Sequence, residues 1–321
     1  MMRRYIRFCG LIISLALCAM TFFVNAQEPT NAETAAGLFQ RDPVTRILLM
    51  GCDRASGLAD SILVVSINEN ENSASILQIP RDTYAEYTDK DYKKINGSLS
   101  TLGESGIKNF FSSVLGVPIH YFAVVKLDHF CKMVDAIGGV DVNVPQKMEY
   151  HDPAQNLHIS LEAGEQHLDG KLAEHFVRYR AGYVNADLGR LDAQKVFLRA
   201  FAERCRELKV TDYFRLAGVA LTGVQTDIGV TEAVRIGKIL RACNPNEVPM
   251  QTLAGQAVKG NSGAWYYVIN RRGACRQINE LTYPDTPLKL SDFDAKGLFD
   301  RVQNPQFHNV YTAEEDELPL V

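Results

Sequence analysis

The chain has 321 residues, 46% of them hydrophobic and 22% charged, with a formal net charge of −4. That is enough apolar content for one large core or two modest ones, and it excludes a disordered or fibrous protein. The absence of a global basic field argues against nucleic acid as a partner, so any anion must be gripped by a local cluster of charge.

Arg3, Arg4 and Arg7 precede an apolar run from Phe8 to Val24, and Val24-Asn25-Ala26 reads as a small-residue cleavage site. The run is longer than a usual signal core and short of the roughly 20 residues that cross a bilayer comfortably. Residues 1–26 are therefore a signal peptide or a retained membrane anchor. In both cases the arginines stay on the cytoplasmic side, and the chain from about Gln27 onward is expected outside. Without these three arginines the exported part carries about −7. Residues 27–44, polar and alanine-rich, suit a short tether. Cys9 and Cys18 fall in the leader. Cys52, Cys131, Cys205, Cys243 and Cys275 have neither metal-knuckle nor disulfide-framework spacing, and read as buried small residues with one or two bridges at most.

Residues 46–51 and 61–67 are β-branched and apolar and read as buried strands, and 74–79 as a strand pairing back before Pro80. An apolar stripe of Ile107, Phe110, Phe111, Val114 and Leu115 predicts a helix over 103–115. A strand at 121–126, a helix at 127–137, a Gly138-Gly139 turn and a strand at 140–144 follow. The spacing of Leu191, Val196, Leu198 and Phe201 predicts a long helix over 189–209, with further helices near 213–222 and 231–243. A last strand and helix lie within 265–281. Beyond Pro284 the acid-rich end, closing on Glu314-Glu315-Asp316-Glu317, reads as a solvated extension. Alternating strands and helices predict a layered α/β domain with helices on the faces of one sheet.

Four islands place charge at predicted strand ends, where α/β sheets build sites. Asp53 and Asp60 bracket one short loop and could hold Mg²⁺ through one or two oxygens, although turn capping explains such a pair better when it stands alone. In Ile79-Pro80-Arg81-Asp82-Thr83 a guanidinium leaves a strand end, a group suited to phosphate. Phe176-Val177-Arg178-Tyr179-Arg180, read as a strand, would project Arg178 and Arg180 side by side. Such a pair needs a counter-ion, either a ligand or Asp187 or Asp192. Asp187-Leu188-Gly189-Arg190, with Gln194 one turn on, adds a third cation and an amide at a helix start.

Taken in order, Ile-Leu-Leu-Met-Gly-x-Asp, Asp60-Ser61, Ile-Pro-Arg-Asp-Thr, Lys94-Ile95-Asn96, the Val134-to-Val142 block, Leu168-Asp169-Gly170, Val-Arg-Tyr-Arg and Asp-x-Gly-Arg-x-x-x-Gln resemble the LytR-CpsA-Psr family across about residues 45–282. The resemblance implies a three-layer α/β/α sandwich with a central mixed β-sheet over that span, followed by the acidic tail at 283–321. It implies a membrane-tethered or secreted, extracytoplasmic phosphotransferase dependent on Mg²⁺ (or Mn²⁺). Such an enzyme moves a glycopolymer, whether teichoic acid, capsule or another, from an undecaprenyl-pyrophosphate carrier to peptidoglycan. Carried over residue by residue, it puts the metal on Asp53 and Asp60. It puts the pyrophosphate on Arg81, Arg178, Arg180 and Arg190, with Gln194 beside them and Lys94 as a further contact. Asp53 or Asp82 would take the attacking proton. The polyprenyl chain would lie in an apolar tunnel between sheet and helices. The chain departs from the family in having Leu58-Ala59-Asp60-Ser61 where an arginine is usual; Arg54 is the candidate to replace it. That departure favours a second reading, a non-catalytic binder of lipid-linked or wall polyanions; a third is a lipid pyrophosphate hydrolase, with water replacing the sugar hydroxyl.

Overall fold

The computed structural model describes residues 43–53, 57–88, 93–153, 157–183, 187–260, 263–284 and 286–290. The leader, nearly all of the tether, Arg54 and the end of the acidic tail lie outside these.

In chain order the elements are β1 (Val44–Cys52), β2 (Ala59–Asn68), β3 (Ser73–Gln78), α1 (Ser98–Leu115), β4 (Tyr121–Lys126), α2 (Leu127–Ala136), β5 (Val140–Val144), β6 (Met148–Asp152), β7 (Leu157–Leu161), β8 (Gly164–Leu168), α3 (Gly170–Arg178), α4 (Asp187–Glu207), α5 (Val210–Gly223), β9 (Val224–Thr226), α6 (Val230–Ala242), β10 (Met250–Thr252), β11 (Gly255–Lys259), β12 (Trp265–Ile269) and α7 (Arg271–Thr282). The main sheet has the order β10-β3-β2-β1-β4-β9. The β1–β2, β2–β3 and β4–β9 pairs are antiparallel and the β1–β4 and β3–β10 pairs parallel, so the sheet is mixed. Three two-stranded ribbons, β5–β8, β6–β7 and β11–β12, stand apart from it.

Period-two alternation sorts the sheet's side chains into two layers. Leu48, Met50, Ile62, Val64 and Leu77 bury one face against Ile107, Phe111 and Val114 of α1 and Ala274 and Ile278 of α7. Ile47, Val65, Ile67 and Ile76 bury the other against Ala233, Ile236 and Leu240 of α6. A third cluster joins the β5–β8 and β6–β7 ribbons to α2, α3 and α4 through Val134, Val142, Ile159, Phe176 and Phe197. The three-layer α/β/α arrangement expected from the sequence is present. Among the described residues no helix is long and apolar enough to cross a membrane.

Most predicted elements fall within a few residues of those observed. The strand expected at 176–180 does not form. Asp169 caps a helix there, its side chain accepting from Leu172 N at 2.8 Å, and Ala173, Phe176 and Val177 carry helical spacing into the core, so α3 runs on through Arg178. Tyr179 then returns to extended backbone. The helix expected at 103–115 starts earlier, at Ser98, and is kinked at Gly103 (φ 66°). The five described cysteines are all free, and Cys52, Cys205, Cys243 and Cys275 are buried. The chain beyond Pro284 begins as part of the domain: Leu288 and Leu290 pack on the α1–α7 layer, and Leu288 exchanges two backbone hydrogen bonds with the Asn279 amide.

Candidate functional site

Parallel β1 and β4 both end at one edge of the sheet, where α2, α3 and α4 rise over it and leave a cavity of about 250 Å³. β1 stops at Cys52 and antiparallel β2 begins at Ala59, which sets Asp53 and Asp60 on the two sides of the same mouth. Because β3 runs antiparallel to β2, the chain leaving it delivers Arg81 beside the start of β2. Arg178 arrives on the last turn of α3, Arg180 two residues on, and Arg190 and Gln194 on the first turns of α4. All of these line the cavity, together with Ser61. The opposite walls are apolar, with Leu49, Val125, Phe130, Met133, Phe197 and Phe201.

Charge at the polar end alternates in a chain. Arg81 Nη1 donates to Asp60 Oδ1 at 2.5 Å, and Arg81 Nε lies 3.6 Å from Asp187 Oδ1. Arg190 grips the same Asp187 through Nε (3.1 Å) and Nη2 (2.9 and 3.1 Å), and its Nη1 donates to the Asp60 carbonyl at 3.1 Å. Burial pushes the Arg190 pKa below its ordinary value, Arg81 adds to the effect, and Asp187 opposes it. Burial opposes the charge on Arg81 too, but Asp187 and Asp60 outweigh it and hold that pKa above the ordinary value. Arg81 Nε is buried and has no hydrogen-bond acceptor among the described residues. A buried guanidinium N–H without an acceptor is costly, and is the kind of group a ligand oxygen relieves.

Arg178 Nη1 donates to Glu174 Oε1 at 2.9 Å, one helical turn back, a counter-ion on its own helix. Arg180 is exposed, and its guanidinium makes no ion pair among the described residues. Gln194 braces the site: its Oε1 accepts from Gln78 Nε2 of β3 at 3.0 Å, and its Nε2 donates to the Val177 carbonyl at 3.2 Å.

Two expected participants stand elsewhere. Lys94 Nζ and Asp82 Oδ1 pair at 2.8 Å, Lys94 also lies over the Tyr266 ring, and neither is among the residues lining the cavity. Arg54 lies outside the described residues. Conversely, residue reading passed over Glu174, Gln78 and Cys52. Glu174-to-Arg178 is an i,i+4 acid–base spacing and becomes visible once 170–178 is read as helix. Cys52 also lines the cavity, and burial, followed by Asp53 and Asp60, pushes its thiol up to about 11 against the opposing effect of Lys126. A neutral thiol of this kind is no nucleophile.

Asp53 Oδ1 accepts from Gly57 N at 2.9 Å, and Asp60 Oδ1 accepts from Arg81. No group of three or more His, Cys, Asp or Glu side chains able to hold a metal occurs among the described residues. Two carboxylates without further protein ligands fit Mg²⁺, which retains waters and takes phosphate oxygens, and do not fit a structural zinc.

A family model described as LytR_cpsA_psr matches residues 19–282, most of the chain. The protein belongs to this family. Among LytR_cpsA_psr relatives, the "Polyisoprenyl-teichoic acid--peptidoglycan teichoic acid transferase TagU" of Bacillus mycoides (strain KBAB4) is 30% identical over 251 residues, 77% of this chain and 80% of that one. The corresponding transferase TagV of Bacillus subtilis (strain 168) is 28% identical over 231 residues, 69% of this chain and 59% of that one. The crystal structure of B. subtilis TagV superposes with a TM-score of 0.65 at 24% identity, covering 77% of this chain and all of that one. TagT bound to LIIa-WTA superposes with a TM-score of 0.62 at 21% identity, covering 77% and 93%. These structural likenesses establish the family's mixed-sheet α/β fold.

Proposed function

We propose that this protein, held or released outside the cell membrane by its leader, transfers a wall glycopolymer of the teichoic-acid class from an undecaprenyl-pyrophosphate carrier to peptidoglycan. The observation that carries this reading is the convergence of Arg81, Arg178, Arg180 and Arg190 with Asp53 and Asp60 at one end of a cavity whose other walls are apolar. A linked pair of phosphates with a polyprenyl tail has that polarity. The relatives' names supply the polymer class.

In this account the arginines hold the phosphate oxygens, and Phe130, Phe197 and Phe201 take the first isoprene units and exclude water. A sugar hydroxyl of peptidoglycan attacks the phosphorus nearer the glycan. The bond from that phosphorus to the bridging oxygen breaks, and the leaving polyprenyl phosphate takes up the hydroxyl proton, so no carboxylate is needed as a base. Asp82, paired with Lys94 away from the cavity lining, is not placed to act as one.

Charge balance argues for a divalent cation. Asp53, Asp60, Asp187 and Glu174 stand against the four arginines, so these side chains alone offer a pyrophosphate little net attraction. Mg²⁺ at Asp53 and Asp60 would supply the missing positive charge and stabilise the phosphate oxygens.

The test is to incubate the purified exported domain with a polyprenyl-pyrophosphate glycan, Mg²⁺ and peptidoglycan fragments. A covalent glycan–peptidoglycan phosphodiester is expected. Release of free phosphorylated glycan would make the protein a hydrolase. Binding without turnover would make it a non-catalytic module, the reading that Leu58 in the arginine position favours.

A further inference from the structure

We propose that Glu174 is a positioning residue for this site, fixing the Arg178 guanidinium on the cavity wall before substrate arrives. The inference rests on the phosphate-site reading above and adds a residue to it.

Glu174 is fully buried at 0% exposure, yet it does not line the cavity. It sits between α3 and α2, where Oε1 accepts from Arg178 Nη1 at 2.9 Å, and Oε2 is 3.3 Å from Lys171 Nζ and 3.7 Å from Cys131 Sγ. A carboxylate taken out of water is strongly disfavoured unless paired, so the pair with Arg178 is held tightly. The α-helix places Glu174 one turn behind Arg178, so the buried acid holds a guanidinium that lines the cavity without lining it itself.

The other acids of the site behave differently. Asp60 and Asp187 are 41% and 26% exposed at their side chains and bridge the arginines at the polar end itself. A cation at Asp60, or an anion at Arg81 and Arg190, can exchange with those pairs. Glu174 is off the cavity lining, so it is not among the groups that such a cation or anion would meet. Four arginines close together repel one another when no anion is bound. An enclosed carboxylate under one of them holds its orientation through both states, which is preorganisation in its physical sense. Two elements position the acid in turn: Asp135 Oδ1 accepts from Gly170 N at 2.7 Å, and Gly170 lets α3 approach α2 so closely that a Cβ there would lie 2.3 Å from the Cys131 carbonyl oxygen.

The experiment compares Glu174→Gln, Glu174→Leu, Arg178→Ala and the Glu174→Gln/Arg178→Ala double variant in the exported domain. Binding of farnesyl pyrophosphate with Mg²⁺ is read by calorimetry, kcat and KM from the transfer assay, and folding by thermal melts. Glutamine keeps an acceptor without the charge, and leucine fills the space should a neutral polar group there impair folding. Each Glu174 variant is expected to lower kcat by about tenfold or more with a smaller effect on KM, and the double variant to be no slower than Arg178→Ala alone, since groups acting as one unit are non-additive. A merely structural role would give additive losses that track the melting temperature. Wild-type binding and turnover with both Glu174 variants unchanged, or with additive losses, would overturn this inference alone. A wild-type domain that binds no farnesyl pyrophosphate would overturn the phosphate-site reading and this inference together.

Discussion

At the scale of single residues, the arginines differ in how they are held, and that difference orders their expected effects. Arg190 is 3% exposed and grips Asp187 with two nitrogens. Arg190→Ala is expected to lower the transfer rate by about 10²-fold or more, as loss of a preorganised donor does. Arg190→Lys is expected to recover little, because an ammonium cannot reproduce the forked grip; full activity in the lysine variant would contradict this geometry. Cys52 offers a chemical probe. With its thiol pushed up to about 11, iodoacetamide labelling of the folded protein at neutral pH, followed by mass spectrometry, is expected to be slow and to accelerate on denaturation. Rapid labelling of Cys52 in the folded state would refute the buried, acid-flanked environment. Arg81 and Arg190 were legible as cluster members because their guanidinium groups followed a strand end and a helix start; Arg178 and Arg180 were included on an alternation that the helix replaces. The partners were not legible: ion pairing depends on which turn faces which, and local spacing does not report this for Arg81 and Asp187, residues far apart in the chain.

Individual elements are set by a few non-interchangeable residues. Gly170→Ala would drive a methyl group into the Cys131 carbonyl and the Asp135 carboxylate, and is expected to destabilise the domain by about 1–3 kcal/mol through overpacking. Chemical denaturation measures it, and an unchanged midpoint would contradict the close α2–α3 approach. Arg46, 1% exposed, donates through Nε to the Thr282 carbonyl (2.6 Å) and through Nη2 to the Tyr283 carbonyl (2.7 Å), satisfying the C-terminal end of α7. Long elements with a continuous apolar stripe, such as α4 and α6, were legible as helices for the reason that makes them pack. The failure at 176–180 has the opposite cause: Val-Arg-Tyr-Arg fits alternation over a short window, and the decisive signals, the Asp169 cap and the spacing from Ala173 to Phe176 and Val177, begin before it. Three-residue β9 and β10 carry too little pattern to be read, and exist because β4 and β3 offer them open edges.

For the whole molecule, the acid sensitivity and metal dependence expected of it rest on where charge is enclosed. His175 is 8% exposed, neither ring nitrogen has a hydrogen-bond partner among the described residues, and burial, followed by Lys171, pushes its pKa below the ordinary value while Glu174 opposes. The folded state thus keeps the ring neutral, whereas the unfolded chain takes up a proton near pH 6.5. Stability from this group is complete above about pH 6.5 and is lost as the pH falls below it towards the folded pKa. His175→Gln is expected to flatten the fall in melting temperature between about pH 7 and pH 5; an equally steep fall would assign the acid sensitivity elsewhere. Chelation of divalent cations is expected to weaken farnesyl pyrophosphate binding while leaving the melting temperature of the unliganded domain unaltered. The central claim is that one cavity seats two linked phosphates on its arginines and the polyprenyl chain against its phenylalanines. A crystal structure of the exported domain with farnesyl pyrophosphate and Mg²⁺ tests it most directly. The phosphate oxygens should lie within hydrogen-bond distance of Arg81, Arg178 and Arg190, including the now unpartnered Arg81 Nε, and the isoprene units should contact Phe197 and Phe201. A ligand seated elsewhere, with the Asp60–Arg81–Asp187–Arg190 chain closed over an unentered cavity, would contradict it.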